Sequence, residues 1–133
     1  MTLGEIKDQV MFQTNNDAED VDDYLPHLVD YINDGYDRMM NVWNKTHIPT
    51  GDYDRLEVDP DEPLLPEWTH RALVDWATWM IYRNGNPQKQ QRGYAFKDAF
   101  ERFLATVADE GGKNGVDENG NRIQFKYFRN RPR

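Results

Sequence analysis

The side chains best equipped for chemistry in this chain are three histidines and two acidic runs, and their spacing argues against most reactions. His27, His47 and His70 are scattered. No two sit at metal-ligand spacing and there is no His-Glu-x-x-His, so surface or packing roles are expected. Asp17, Glu19, Asp20, Asp22 and Asp23 carry enough charge to attract calcium. An EF-hand loop, however, needs ligands at defined steps, a central glycine and a closing glutamate, and this run lacks that frame. It is expected instead to lie at a helix N-terminus, where the macrodipole favours negative charge. A second run, Asp52, Asp54, Glu57, Asp59, Asp61 and Glu62, reads either as a solvated linker or as a surface that repels DNA or meets a basic partner. Carboxylates doing acid–base work need a pocket, and the sequence indicates none. No Ser-His-Asp order, phosphate loop or dinucleotide fingerprint is present. The chain has no cysteine, which excludes disulfides, thiolate zinc and a cysteine nucleophile. The expectation is a protein that is not an enzyme and holds no cofactor and no metal.

What remains is the chemistry of contact. Residues 1–112 carry 10 Lys+Arg against 22 Asp+Glu, a net of −12, whereas residues 113–133 carry 6 against 2, a net of +4. The basic segment also interleaves aromatics with its charges. Ile123, Phe125, Lys126, Tyr127, Phe128, Arg129, Arg131 and Arg133 are the candidate partner-binding residues. Three readings are open for this arm: a disordered basic tail, a stacking surface for single-stranded nucleic acid, or a strap on a protein partner, above all another subunit. Disordered segments are poor in aromatics, which favours a gripping role. The acidic body does not suit wrapping duplex DNA, since neutralising phosphates takes clustered cations.

The elements that must position these residues read as helices. Thr2 and Glu5 form a capping box for a helix over 3–13, with Leu3, Ile6 and Val10 on one face. A second helix is expected over 19–44, with Leu25, Leu28, Ile32, Met39 and Trp43 in period and Pro26 early. Gly35 within it is expected to mark close packing, a break at Asn33-Asp34-Gly35 being the alternative. Residues 45–65 form a long proline-punctuated loop whose one strand-like piece lies around 55–58. A loop of this length inside a small domain tends to be functional or disordered. It is the second candidate contact surface, with Tyr53, Arg55 and Leu56 as its partner-binding residues. A third helix over 66–84 places Trp68, Trp76 and Trp79 in the core and Pro66 in its first turn. A fourth over 88–110 carries Phe96, Phe100, Phe103 and Val107, and Gly111-Gly112 ends it. The Asn119-Gly120 turn and the alternation of Ile123, Phe125 and Tyr127 predict a hairpin or extended arm. The fold class is therefore all-α: a small four-helix bundle over 1–112 with a long inter-helix loop, followed by the arm over 113–133. No apolar run is long enough to span a bilayer, and the N-terminus lacks a signal-peptide pattern, so a soluble protein without membrane contact is expected.

Several stretches together resemble the head–tail adaptor, or connector, proteins of bacteriophages. They are Thr2-Leu3-Gly4-Glu5-Ile6-Lys7, then the run from Tyr24 to Tyr36, the proline-rich loop, and Leu65-Pro66-Glu67-Trp68-Thr69-His70-Arg71-Ala72-Leu73. The resemblance covers roughly residues 2–107 in order and type of element. It implies a structural virion protein of the head–tail neck, made in the bacterial host cytoplasm. Such a protein forms a homo-oligomeric ring, usually twelve-fold, between the portal protein and a tail or stopper protein, and duplex DNA passes through it without specific binding. The resemblance implies no catalytic residues; the loop at 45–65 and the arm are where it places partner contacts. The alternative is a nucleic-acid-binding or regulatory phage protein acting through the basic arm.

Overall fold

Thr2 begins the fold by closing a capping box: its hydroxyl accepts from the Glu5 amide, and the Glu5 carboxylate accepts from the Thr2 amide. These bonds satisfy amides that a helix start leaves without partners, and they hold the Glu5 carboxyl below its ordinary range. The computed structural model describes residues 1–14 and 21–114. α1 runs Leu3–Gln13 and turns Leu3, Ile6 and Val10 fully inward.

The expected second helix is divided. α2 spans Val21–Tyr24, a 3-10 turn covers Leu25–His27, and α3 runs Leu28–Thr46. The division falls at Pro26, which has no N–H for an α-helical bond, and the chain tightens so that the Leu28 amide reaches the Leu25 carbonyl. Helix α3 then passes unbroken through Asn33, Asp34 and Gly35. A Cβ at Gly35 would stand 3.0–3.2 Å from the Trp76 side chain, so the glycine permits the close helix approach expected of it.

The third helix starts later than expected. Pro66 precedes a 3-10 turn at Glu67–Thr69, and α4 follows at His70–Arg83. That shift moves Trp68 off the α4 face. Trp76 and Trp79 are buried, but Trp68 is 48% exposed, a correction to its core assignment. Asn84 and Gly85 close α4 through bonds to the Ile81 and Tyr82 carbonyls. α5 then runs Pro87–Asn114, with proline in its first turn and the Asn86 carboxamide accepting from Lys89.

α5 does not stop at Gly111-Gly112 but continues through them. Gly111 serves close packing, because a Cβ there would lie 2.5 Å from the Thr46 carbonyl oxygen at the end of α3. The helical body therefore takes in Lys113 and Asn114, and the expected hairpin or arm beyond them lies outside the described residues. Among the described residues there is no strand, including at 55–58, so the fold there is an all-α bundle of α1, α3, α4 and α5. α4 is the central element, packed on α5, α3 and α1. Its Leu73, Val74 and Ala77 meet Ile32 and Met39 from α3 and Val107 from α5 in one core. Full burial of each large side chain contributes roughly 1.5–3 kcal/mol.

Candidate partner-binding surface

The loop between α3 and α4 has no regular structure, yet it is fastened along its length. At its start, the Asn44 carboxamide oxygen accepts from the Thr50 amide at 3.0 Å. Gly51 then takes a φ of +79°, a left-handed conformation that glycine adopts without steric cost. Tyr53 packs on Tyr36 with ring centroids 5.0 Å apart and donates to the Asp37 carboxylate at 2.7 Å. Burial, and then this bond to a carboxylate, push the Tyr53 phenol up to about 12. Arg55 reaches Asp30 at 2.7 Å on an exposed surface, a pair worth less than about 1 kcal/mol.

The strongest fastening is at Leu56. Its amide donates to the Asn33 side-chain oxygen at 2.8 Å, and its carbonyl accepts from the Asn33 side-chain nitrogen at 2.8 Å. One carboxamide thus pairs with both backbone groups of Leu56, much as a neighbouring strand would, and the Leu56 side chain is buried at 2% exposure. The next turn is held by Asp61, whose carboxylate accepts from the Glu57 and Val58 amides at 2.8 and 3.0 Å. The loop also closes the start of α1. The Asp59 and Asp61 carbonyls accept from the Gly4 and Leu3 amides at 3.0 and 2.7 Å, and Lys7 pairs with the Asp59 carboxylate at 2.7 Å. Near its end, the Leu64 amide donates to the buried Tyr36 hydroxyl, and the Leu65 carbonyl meets His70 Nε2 at 2.7 Å. A carbonyl can only accept, so Nε2 carries the ring proton. Nδ1 lies 2.7 Å from the Met1 ammonium and 3.2 Å from the Glu67 carboxylate, and this ammonium also pairs with Glu67.

The fastened loop and α3 enclose an open groove of about 690 Å³, bordered by Tyr36, Leu56, Leu64 and the acidic stretch 54–62. Val58 and Leu64 are 57% and 55% exposed beside it. A second hollow, at Thr14, Tyr24 and Tyr82, holds about 100 Å³, well below the volume a cofactor occupies. A separate aromatic surface lies at the end of α3. Trp43 stacks on His47 at 3.6 Å, and Trp68 leans on Trp43 and Phe103 at 6.3 and 5.8 Å. Burial pushes the His47 imidazole below its ordinary value.

Of the residues expected to bind a partner, Tyr53 and Arg55 lie on this loop with polar atoms committed to Asp37 and Asp30. Leu56 packs its side chain into the domain's own core, at 2% exposure, while bordering the groove. Ile123, Phe125, Lys126, Tyr127, Phe128, Arg129, Arg131 and Arg133 lie outside the described residues. Sequence reasoning missed Asn33, a polar residue on the buried side of α3, which the pattern offered only as a possible turn. Among the described residues no group of three or more acidic or histidine side chains could hold a metal ion, and no helix is long and apolar enough to cross a membrane. No protein-family model matches the chain, and comparisons with curated proteins and with solved structures found no significant similarity.

Because Asp61 accepts from the Val58 amide and then the Glu57 amide, its carboxyl sits below the ordinary value of 3.8. A depressed folded value stabilises the turn above the ordinary value, and that contribution is lost as pH falls through the lower one. The amide-proton resonances of Glu57 and Val58 are therefore expected to hold their folded positions at neutral pH and to move toward unfolded ones only below about pH 4. Asp61→Asn should move them at pH 7.

Proposed function

We propose that this chain is a structural adaptor of a bacteriophage neck, a subunit of a homo-oligomeric ring between the portal protein and a tail or stopper protein. The reading joins the resemblance in helix order to one observation: the long loop between α3 and α4 is fastened to the bundle as a preformed surface with an acidic groove. Such a surface needs little ordering on contact, which favours assembly. The acidic body supports passage of duplex DNA, since it forgoes the counterion release that would hold phosphates. Subunits that carry an arm and a receiving face suit head-to-tail contacts that close into rings, of which a twelve-fold ring is the form the resemblance implies.

Removal of residues 115–133 tests the reading. The truncated protein is expected to keep its helical circular dichroism and cooperative melt, yet fail to join portal-bearing heads in electron micrographs of mixed particles. Normal attachment by the truncated protein would overturn it. The arm's six cations within 113–133 also favour a second reading as a binder of single-stranded nucleic acid. Salt-sensitive binding that the same truncation abolishes would support that one.

A further inference from the structure

The groove bordered by residues 54–64 has the character of a receptor for a cationic, aromatic peptide. Its volume is about 690 Å³, within the range of specific binding sites. Asp54, Glu57 and Glu62 line it and are exposed, while among the described residues of that border the one cation, Arg55, is already committed to Asp30 at 2.7 Å. Val58 and Leu64 add exposed apolar surface on the same border. Tyr36, among its lining residues, accepts from the Leu64 amide through its hydroxyl and so holds that border in place. Carboxylates and two apolar contacts together match a segment that sets aromatic rings beside lysine and arginine.

The chain itself contains such a segment. Residues 123–133 read Ile-Gln-Phe-Lys-Tyr-Phe-Arg-Asn-Arg-Pro-Arg. We infer that this segment of a second copy of the chain occupies the groove, the choice of a second copy resting on the ring reading above. α5 ends at Asn114, just past the end of α3, where Gly111 abuts Thr46. Residues 115–133 reach at most about 65 Å when extended, ample to cross to a neighbour. Filling its own groove would require the chain to reverse and travel back along α3 to Tyr36. A head-to-tail arrangement gives every groove an arm from a neighbour, and opposite charges steer the docking.

The absence of cysteine allows a direct test on the full chain. Leu64→Cys places a thiol on the groove border, Tyr127→Cys places one on the arm, and Phe12→Cys, at a 79% exposed site on α1, is the control. The Leu64→Cys protein carrying a size tag is mixed with the Tyr127→Cys protein and oxidised with oxidised glutathione. The tagged–untagged disulfide should exceed the Phe12→Cys control at least about tenfold, and should fall toward it with Glu57→Gln/Glu62→Gln or in 0.5 M salt. Yield equal to the control overturns the assignment of the groove. If a chain carrying both Leu64→Cys and Tyr127→Cys closes only on itself at every dilution, the occupant is its own arm and the second copy is overturned. Linked copies that nevertheless never join portal-bearing heads would sink the adaptor reading and leave the groove-and-arm contact standing.

Discussion

Phe100→Ala is expected to lower unfolding free energy by about 3–5 kcal/mol, the range for emptying a buried aromatic site. Phe100 is 1% exposed on α5 and meets Trp76 of α4 with centroids 4.8 Å apart at an angle of 44°. Trp76 is in turn tied to α3: its indole N–H donates to Asp34 at 2.7 Å, Arg38 lies 4.4 Å over its ring, and its side chain faces Gly35. One ring on α5 therefore backs the indole that joins α4 to α3, and removing it opens a void where three helices meet. Phe100→Leu refills most of that volume and should cost well under half as much. Urea unfolding followed by tryptophan fluorescence checks both. Equal midpoints for wild type and Phe100→Ala would mean that the helices close over the gap without loss.

Asn33→Leu comes next in expected size. The leucine suits the apolar face of α3, but it strips the Leu56 amide and carbonyl of their shared partner inside the protein. A buried backbone group left unpaired costs about 1–3 kcal/mol, so the change should cost about 2–4 kcal/mol. That corresponds to a melting temperature lower by roughly 10 °C for a domain of this size. The location of the damage distinguishes this mechanism from a general packing defect. Protease cleavage within 48–62 should rise at temperatures where the helices are still folded. Asn33→Asp keeps the acceptor for the Leu56 amide but loses the donor to its carbonyl, and it should loosen the loop similarly. If the melting temperature falls while loop cleavage stays at the wild-type rate, the carboxamide is not what fastens the loop.

The parts of this fold that could be read from sequence are those whose causes are local. Thr2 and Glu5 are three residues apart and make their bonds within one turn, so α1 was legible to its last residue. The stripes Ile32–Met39 and Phe100–Val107 were legible because they repeat at helical spacing. Where a distant contact decided the outcome, local signals misled. Gly111-Gly112 is a stop signal by propensity, yet packing against Thr46 carries the helix through it. Trp68 sits in register with Ala72 and Trp76, but the helix starts only at His70, so the register does not reach it. Asn33, Asp34 and Gly35 are turn residues in isolation. Their structural partners, Leu56, Trp76 and Arg38, come partly from distant segments that no local window pairs with them. The candidate surface was legible as a place, the loop at 45–65, but not as an object. Its anchors join residues 23 apart in the case of Asn33 and Leu56, and its acidic border becomes a groove only once Tyr36 and Leu64 are set beside it.

The two carbonyls that the loop lends to the first turn of α1 have a consequence for how this surface can change over time. Residues 56–61 serve two helices at once, bound to α3 through Leu56 and to α1 through Asp59 and Asp61. A substitution there that alters the backbone disturbs the fold before it alters a partner. The stretch around Ile48, Thr50 and Asp52 carries no such double duty: its side chains face solvent, and only Gly51, held at a φ of +79°, resists a side chain there. Drift in partner preference thus has one inexpensive place to occur, the tip. A transplant of this loop into another helical bundle would succeed only if the recipient also supplied an asparagine and a helix start to receive it.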